Sequence, residues 1–280
     1  MPKYLIHKKR KTMPHVSYKF IILVFCFFIT LNPLFGEDYK SEGGQDRFVN
    51  EAFFQNKKGG TFIEIGAHDG LNISNTWFFE KKLGWTGICI EPRLSAYEKL
   101  IKNRECICIN GAITPLEGYV TFRECEGEWV QLLSGIESNL INFAKDLIER
   151  EVNKGAGSCK STQVYGYVLN NLLEKYNFLE IDFLSLDIEG GELEVLKSIN
   201  FNKFHFRILA VENHFDKKDM EAFLKSNGFI FAQRVGLDDI YVNTIDYTVK
   251  QVEAAQEKEV SALPRFGEIG LTRSISYRAN

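Results

Sequence analysis

The feature that most constrains this chain is a short β-rich run, Thr61-Phe62-Ile63-Glu64-Ile65, that stops on a glycine turn, Gly66-Ala67-His68-Asp69-Gly70. A run of this kind reads as a buried strand, and the glycine gives the chain a sharp exit from it. Similar runs recur at 87–91, 106–113, 183–187 and 208–212. Helical spacing separates several of them: Leu94, Tyr97, Leu100 and Ile101 mark a helix over 94–103. Further helices are expected at 46–54, 72–82, 166–176, 192–198 and 219–227. Runs at 229–234 and 240–242 close the pattern as a hairpin. Repeated strand–helix units give an α/β fold, a mostly parallel sheet with helices on both faces, here ending in an antiparallel pair. Residues 114–160 are less regular, with a strand expected at 119–123, a helix at 137–153 and a loop at 155–158. No internal repeat interrupts this order.

Ligands of such sheets lie beyond the carboxyl ends of the strands. The 64–70 loop, Glu91, Asn110, Asp187 and Glu212 are therefore expected to converge. A dinucleotide site needs G-x-G-x-x-G, with bare amides aimed at a pyrophosphate. Here the spacing is Glu64-x-Gly66-x-x-x-Gly70, and Glu64 and Asp69 set carboxylates near the place of that anion. Acids at a glycine turn suit a ligand that carries a sulfonium and an ammonium group. Glu91 ends the second strand 21 residues after Gly70, where a carboxylate can accept both hydroxyls of a ribose. Dinucleotide folds use the same device, so Glu91 points to an adenosyl ligand without choosing the cofactor. Asp187, at a strand tip, is placed to face the donor or orient an acceptor. Glu189 either does likewise or stabilises the N-terminus of the next helix. His214 is a candidate base for a hydroxyl, and a capped loop histidine reads equally well there. No metal is required by these residues.

Taken together, three segments resemble the FkbM-type methyltransferases: Phe62-Ile-Glu-Ile-Gly-Ala-His-Asp-Gly70, Ile88-Cys-Ile-Glu-Pro92, and Phe183-Leu-Ser-Leu-Asp-Ile-Glu-Gly-Gly-Glu-Leu-Glu-Val-Leu196. Val211-Glu212-Asn213-His214 and the closing 228–243 segment also fit. The resemblance implies a class I, Rossmann-like methyltransferase domain over 61–245, with S-adenosylmethionine as donor and a hydroxyl as acceptor, a sugar or other small compound. It implies cofactor binding by Glu64, Gly66, Ala67, His68, Asp69, Gly70, Glu91, Asn110 and Asp187, and catalysis through Asp187, Glu189 and His214. The 114–160 stretch departs from the family pattern and is where acceptor choice is expected to be set. A non-catalytic binding or trafficking protein on the same fold is the rival from another class. A nicotinamide-dependent oxidoreductase is disfavoured by the glycine spacing.

Charge separates the ends from the body. Residues 1–36 hold six Lys or Arg and no acid, while the whole chain is −3, which leaves −9 for residues 37–280. An acidic body argues against a nucleic-acid partner held by phosphate neutralisation. The basic start leads into an apolar run over 20–31 that ends at Asn32-Pro33, the pattern of a secretory signal or signal-anchor. The run is short beside the ~17–25 residues of a spanning helix. Export or membrane attachment is expected, with the side of the body open. A helical lead-in at 37–60 and a polar tail at 246–280 flank the domain. Cys89, Cys106 and Cys108 read as small core residues on neighbouring strands. Cys125 and Cys159 are the pair open to a disulfide if the body is exported.

Overall fold

The structure is a computed structural model that describes residues 38–127, 129–140, 142–213 and 218–262. The apolar leader, His214 and residues 263–280 lie outside the described residues. The chain enters through α1 (Gln45–Val49), prolonged by a π-helical turn at Asn50–Phe54. It then runs β1 (Thr61–Ile65), α2 (Trp77–Leu83), β2 (Thr86–Glu91), α3 (Leu94–Asn103) and β3 (Ile107–Asn110). An insertion carries β4 (Ala112–Ile113), β5 (Gly118–Glu126), β6 (Gly135–Ile136), α4 (Asn142–Asn153) and β7 (Ser158–Tyr167). The main pattern resumes with α5 (Leu169–Lys175), β8 (Glu180–Leu186), α6 (Glu192–Ser198), β9 (His205–Glu212) and α7 (Lys218–Ser226). It ends with β10 (Phe229–Val235), β11 (Asp238–Asn243) and α8 (Val249–Ala262).

Seven strands form one sheet in the order β10-β11-β9-β8-β1-β2-β3. All pairings are parallel except those of β11 with β9 and β10. From β1 the chain grows outward through β2 and β3, then returns to the other side of β1 as β8. The order of strands therefore reverses between β1 and β8, and a ligand site is expected above that junction.

Strand alternation explains the near-continuous apolar runs. Ile63, Ile65, Ile88, Leu184 and Leu209 point to one face. Phe62, Cys89, Phe183, Ile208 and Ala210 point to the other. Because helices cover both faces, both sets are buried. The many phenylalanines serve this packing: Phe79 meets Phe54, Phe78, Trp85 and Phe183 at centroid distances of 4.7–5.7 Å.

Four elements differ from the sequence reading. Helix α2 starts at Trp77 and not at 72, because Ser74, Asn75 and Thr76 turn inward onto Glu64. Strand β7 fills 159–165, where no element was expected, and takes the last position of the expected loop and the first two of the expected helix, because it pairs with β5 at nine positions. With one side exposed, its polar residues carry no apolar alternation to read. Helix α4 begins at Asn142, well after 137. The expected polar tail contains α8, whose Val252 and Ala255 are buried in the same core cluster as Phe48 and Phe62. Cys125 and Cys159 do form a disulfide, from opposed positions of β5 and β7, so the insertion is stapled across its own sheet. Cys89, Cys106 and Cys108 are free thiols, with Cys89 fully buried.

Arg104, at the end of α3, ties these parts together. Its side chain is 0% exposed and its guanidinium donates to Glu80 Oε2 (2.6 Å), Thr76 Oγ1 (2.8 Å), Glu64 Oε2 (3.1 Å) and Ser74 Oγ (3.1 Å). Removing one partner from a buried ion pair leaves uncompensated charge. Arg104→Ala is expected to lower stability by about 3–5 kcal/mol in urea unfolding; a loss below about 1 kcal/mol would show that the network does not hold the fold.

Candidate active site

The loop after β1 is clamped from both sides. Gly66 and Ala67 donate their N–H groups to the Ile90 carbonyl, each at 3.0 Å, and Asp187 donates its N–H to the Ile65 carbonyl at 3.1 Å. Gly66 has φ 86°, and a Cβ there would lie 1.8 Å from the Asp187 carbonyl oxygen. Glycine is thus demanded by the end of β8 passing overhead. At Gly70, φ 74°, a Cβ would meet Leu100 and Arg104 side chains at 2.5 and 2.7 Å. Both glycines are required by protein packing, before any ligand is considered.

Glu91 ends β2 and is 5% exposed. Its Oε2 accepts the His68 N–H at 2.9 Å and its Oε1 accepts the Arg93 N–H at 2.8 Å. Burial raises its pKa, and the Arg93 charge opposes the rise. Each carboxylate oxygen keeps a second lone pair. Asn110 sits below this turn and donates to the carbonyls of Glu91 (2.9 Å) and Pro92 (3.2 Å). His68 takes φ 48°. Both its ring nitrogens are buried without a hydrogen-bond partner, Nδ1 standing 3.6 Å from Asp69. A buried, unpartnered imidazole beside Glu91 fits a polar adenosyl ligand in this place.

Two of the expected cofactor acids are placed otherwise. Glu64 turns into the protein, where Ser74 Oγ, the Asn75 N–H, Thr76 Oγ1 and Arg104 all bond its carboxylate. Asp69 bends back onto its own loop and accepts the N–H groups of Leu71 and Asn72 at 3.0 and 2.8 Å. These bonds and His68 hold its pKa far below the carboxylate range, against its burial. The correction has one physical reason: the loop has its own amides and a buried guanidinium to satisfy. The carboxylates of both acids are taken up in bonding and positioning the loop and its neighbours.

The other carboxylates converge. Asp187, Glu189 and Glu212 bring one oxygen each within 4.8 Å of one another, at the ends of β8 and β9. Asp238, which heads β11 opposite Glu212, joins them; it is 4% exposed and Glu212 is 5%. Asp238 Oδ2 accepts from Gln45 (3.1 Å) and Asn75 (3.3 Å). Sequence reading placed Glu212 among the converging residues but did not find Asp238, because only the β9–β11 register brings it there. Glu189 lies in the left-handed region, φ 58°, and leads into Gly190 and Gly191. A Cβ on either glycine would strike Asn139, at 2.5 Å in both cases. The insertion thus lies directly against the 187–191 turn.

Four acids this close cannot all ionise. Burial first, and the neighbouring carboxylates second, push Glu189 and Glu212 well above the usual range. The spacing of the trio also suits oxygen ligands of a hard divalent cation.

With this geometry in hand, the comparison with known families is decisive: the methyltransferase FkbM domain matches residues 64–231, more than half of the 280 residues. The chain belongs to the FkbM methyltransferase family. Membership supports an S-adenosylmethionine-dependent methyltransferase and a cofactor of that type. The seven-stranded order given above is an α/β, mostly parallel architecture, as the resemblance implied. Among curated proteins nothing matches the chain. Among solved structures the FkbM protein is similar to the delta-N METTL16 methyltransferase domain, at 13% identity and TM-score 0.35, over 70% of this chain and 78% of that one. It is also similar to a precorrin-6y C5,15-methyltransferase from Geobacter metallireducens, at 8% identity and TM-score 0.34, over 74% and 89%.

The acid cluster makes stability depend on pH. Asp238 is pushed from 3.8 up to about 8 by burial and then by Asp187. The folded chain keeps a proton there that the unfolded chain releases, so stability falls as pH rises between about 4 and 8. In thermal melts, Asp238→Asn is expected to gain on the parent protein as pH is raised from about 5 to 9. A difference that stays constant over that span would refute the shifted titration.

Proposed function

We propose that this FkbM protein transfers a methyl group from S-adenosylmethionine to a hydroxyl of a sugar or other small acceptor. The observation that carries the reading is the placement of Glu91 at the end of β2 and of the Asp187, Glu189 and Glu212 cluster at the ends of β8 and β9, on either side of β1. Glu91 would take the ribose hydroxyls with its remaining lone pairs, while the His68 ring supplies a further polar partner beside it. The cofactor brings an electrophilic methyl on a sulfonium. Asp187 and its acidic neighbours favour that positive charge and the ammonium group of the same ligand. Asp187 would take the acceptor proton, and Glu189, which burial and its acidic neighbours hold towards the protonated form, would position the acceptor; alignment supplies much of the remaining rate in an in-line displacement. His214 remains a candidate base by sequence. The insertion, through Asn139 against Gly190 and Gly191, is the element placed to select the acceptor.

The Cys125–Cys159 disulfide supports a body that folds in an oxidising compartment. This agrees with the export expected from the leader; among the described residues no helix is long and apolar enough to cross a membrane. The same disulfide favours a second reading, a binding or trafficking protein on the methyltransferase fold, because the methyl donor is made in the cytosol. A C-terminal tag on the membrane-bound protein is expected to resist protease until the membrane is opened.

Isothermal titration with S-adenosylhomocysteine tests the cofactor assignment. Glu91→Ala is expected to weaken binding by about tenfold or more, equivalent to ~1.4 kcal/mol. Asp187→Asn is expected to weaken binding as well, through the lost attraction for the ammonium group, and to abolish the +14 product formed on a hydroxyl panel from labelled donor. A folded protein that binds no S-adenosylhomocysteine would sink the enzymatic reading and leave the second one standing.

A further inference from the structure

Three thiols with no part in methyl transfer lie behind the cofactor loop. The Sγ atoms of Cys106 and Cys89 are 3.5 Å apart, and Cys108 Sγ donates to the Cys106 carbonyl at 3.6 Å. Cys89, in the middle of β2, is fully buried. Cys106, just before β3, is half-buried, as is Cys108, so a small solute can reach the pair from that side. The chain also carries a disulfide elsewhere, a bond typical of proteins in oxidising compartments.

The two thiols differ in the way an attacking and a resolving cysteine must. The neighbouring Cys108 and Cys89 thiols, with the Arg104 charge behind them, lower the Cys106 pKa. Burial raises that of Cys89. Thiolate character and exposure decide which cysteine is oxidised first. Cys89 is moreover wired to the loop, since its Sγ donates to Glu64 Oε2 at 3.7 Å, the carboxylate that fixes Ser74, Asn75, Thr76 and Arg104.

We propose that Cys106 and Cys89 are a peroxide-responsive dithiol whose closure to a disulfide loosens the cofactor loop. The Cys106 thiolate attacks hydrogen peroxide; the S–O bond forms, the O–O bond breaks and hydroxide leaves as water. The Cys89 sulfur, giving up its proton, then attacks the Cys106 sulfenic acid. The S–S bond forms, the S–O bond breaks and a second water departs. Two thiols are oxidised and one peroxide becomes two waters. Closure draws Cys89 away from Glu64 and removes one of the donors that hold the loop. The effect on the cofactor rests on the methyltransferase reading, whereas the dithiol itself does not.

The test treats the reduced full-length protein with hydrogen peroxide, blocks remaining thiols and maps tryptic peptides by mass spectrometry. Arg93 and Arg104 separate Cys89 from the peptide that holds Cys106 and Cys108. A cross-link between the two peptides is expected in the parent and in Cys108→Ser, and its loss in Cys106→Ser. A cross-link that survives Cys106→Ser, or thiols left unconsumed, would overturn the proposal. In parallel titrations with S-adenosylhomocysteine, the oxidised parent is expected to bind at least about threefold more weakly than the reduced one, while Cys106→Ser is unaffected by peroxide. Equal affinity in a fully cross-linked sample would overturn the coupling to the loop. If the reduced protein binds no S-adenosylhomocysteine, the cofactor assignment fails and the peptide map still decides the dithiol.

Discussion

A buried guanidinium holds the glycine loop, and the rest of the site depends on it. Arg104 is a charge taken wholly out of water, which is costly unless it is paired and hydrogen-bonded. Glu64 and Glu80 supply the opposite charge, and Ser74 and Thr76 supply further oxygen acceptors. Three separate pieces of chain are thereby fixed to one another: the end of β1, the segment before α2 and the end of α3. With those pieces fixed, Gly66 can pass under Asp187 and the His68 N–H can reach Glu91. The loop is preorganised by its own protein.

The second constraint is electrostatic and opposes stability. Asp187, Glu189, Glu212 and Asp238 gather where β8, β9 and β11 meet, and the folded chain keeps protons on some of them. Such an arrangement is a local cost that a purely structural protein would have no reason to carry. It gives a field that favours cations at the strand ends and a ready proton acceptor. The insertion closes against this turn at Asn139 and the glycine pair, so in the proposed reaction acceptor choice and proton acceptance would come from different parts of the chain that touch there.

Much of this was legible in the sequence because a parallel sheet covered on both faces writes itself as apolar runs of fixed length. The runs at 61–65, 87–91, 183–187 and 208–212 correspond to β1, β2, β8 and β9, and their carboxyl ends mark Glu91, Asp187 and Glu212. Strand β7 left no such trace, since half of it faces solvent and its partner β5 supplies the order. Helix α8 was hidden in the same way: two small apolar residues, Val252 and Ala255, suffice to dock it, too few for a periodic signal.

The sequence by itself determined the order of the main sheet's strands and of the helices that connect them, the place of the glycine turn and the carboxylates that end the strands. These follow from local periodicity and backbone freedom. Which way each carboxylate faces was decided by tertiary structure alone. Glu64 and Glu91 are both acids of neighbouring strands in one sheet, yet Glu64 meets Arg104 from 40 residues away while Glu91 receives the amides of the two loops at its own strand end. Asp238 entered the cluster through a register that no local pattern encodes. The difference is one of partners: burial makes a carboxylate take whatever donors surround it, and those donors come from distant parts of the chain.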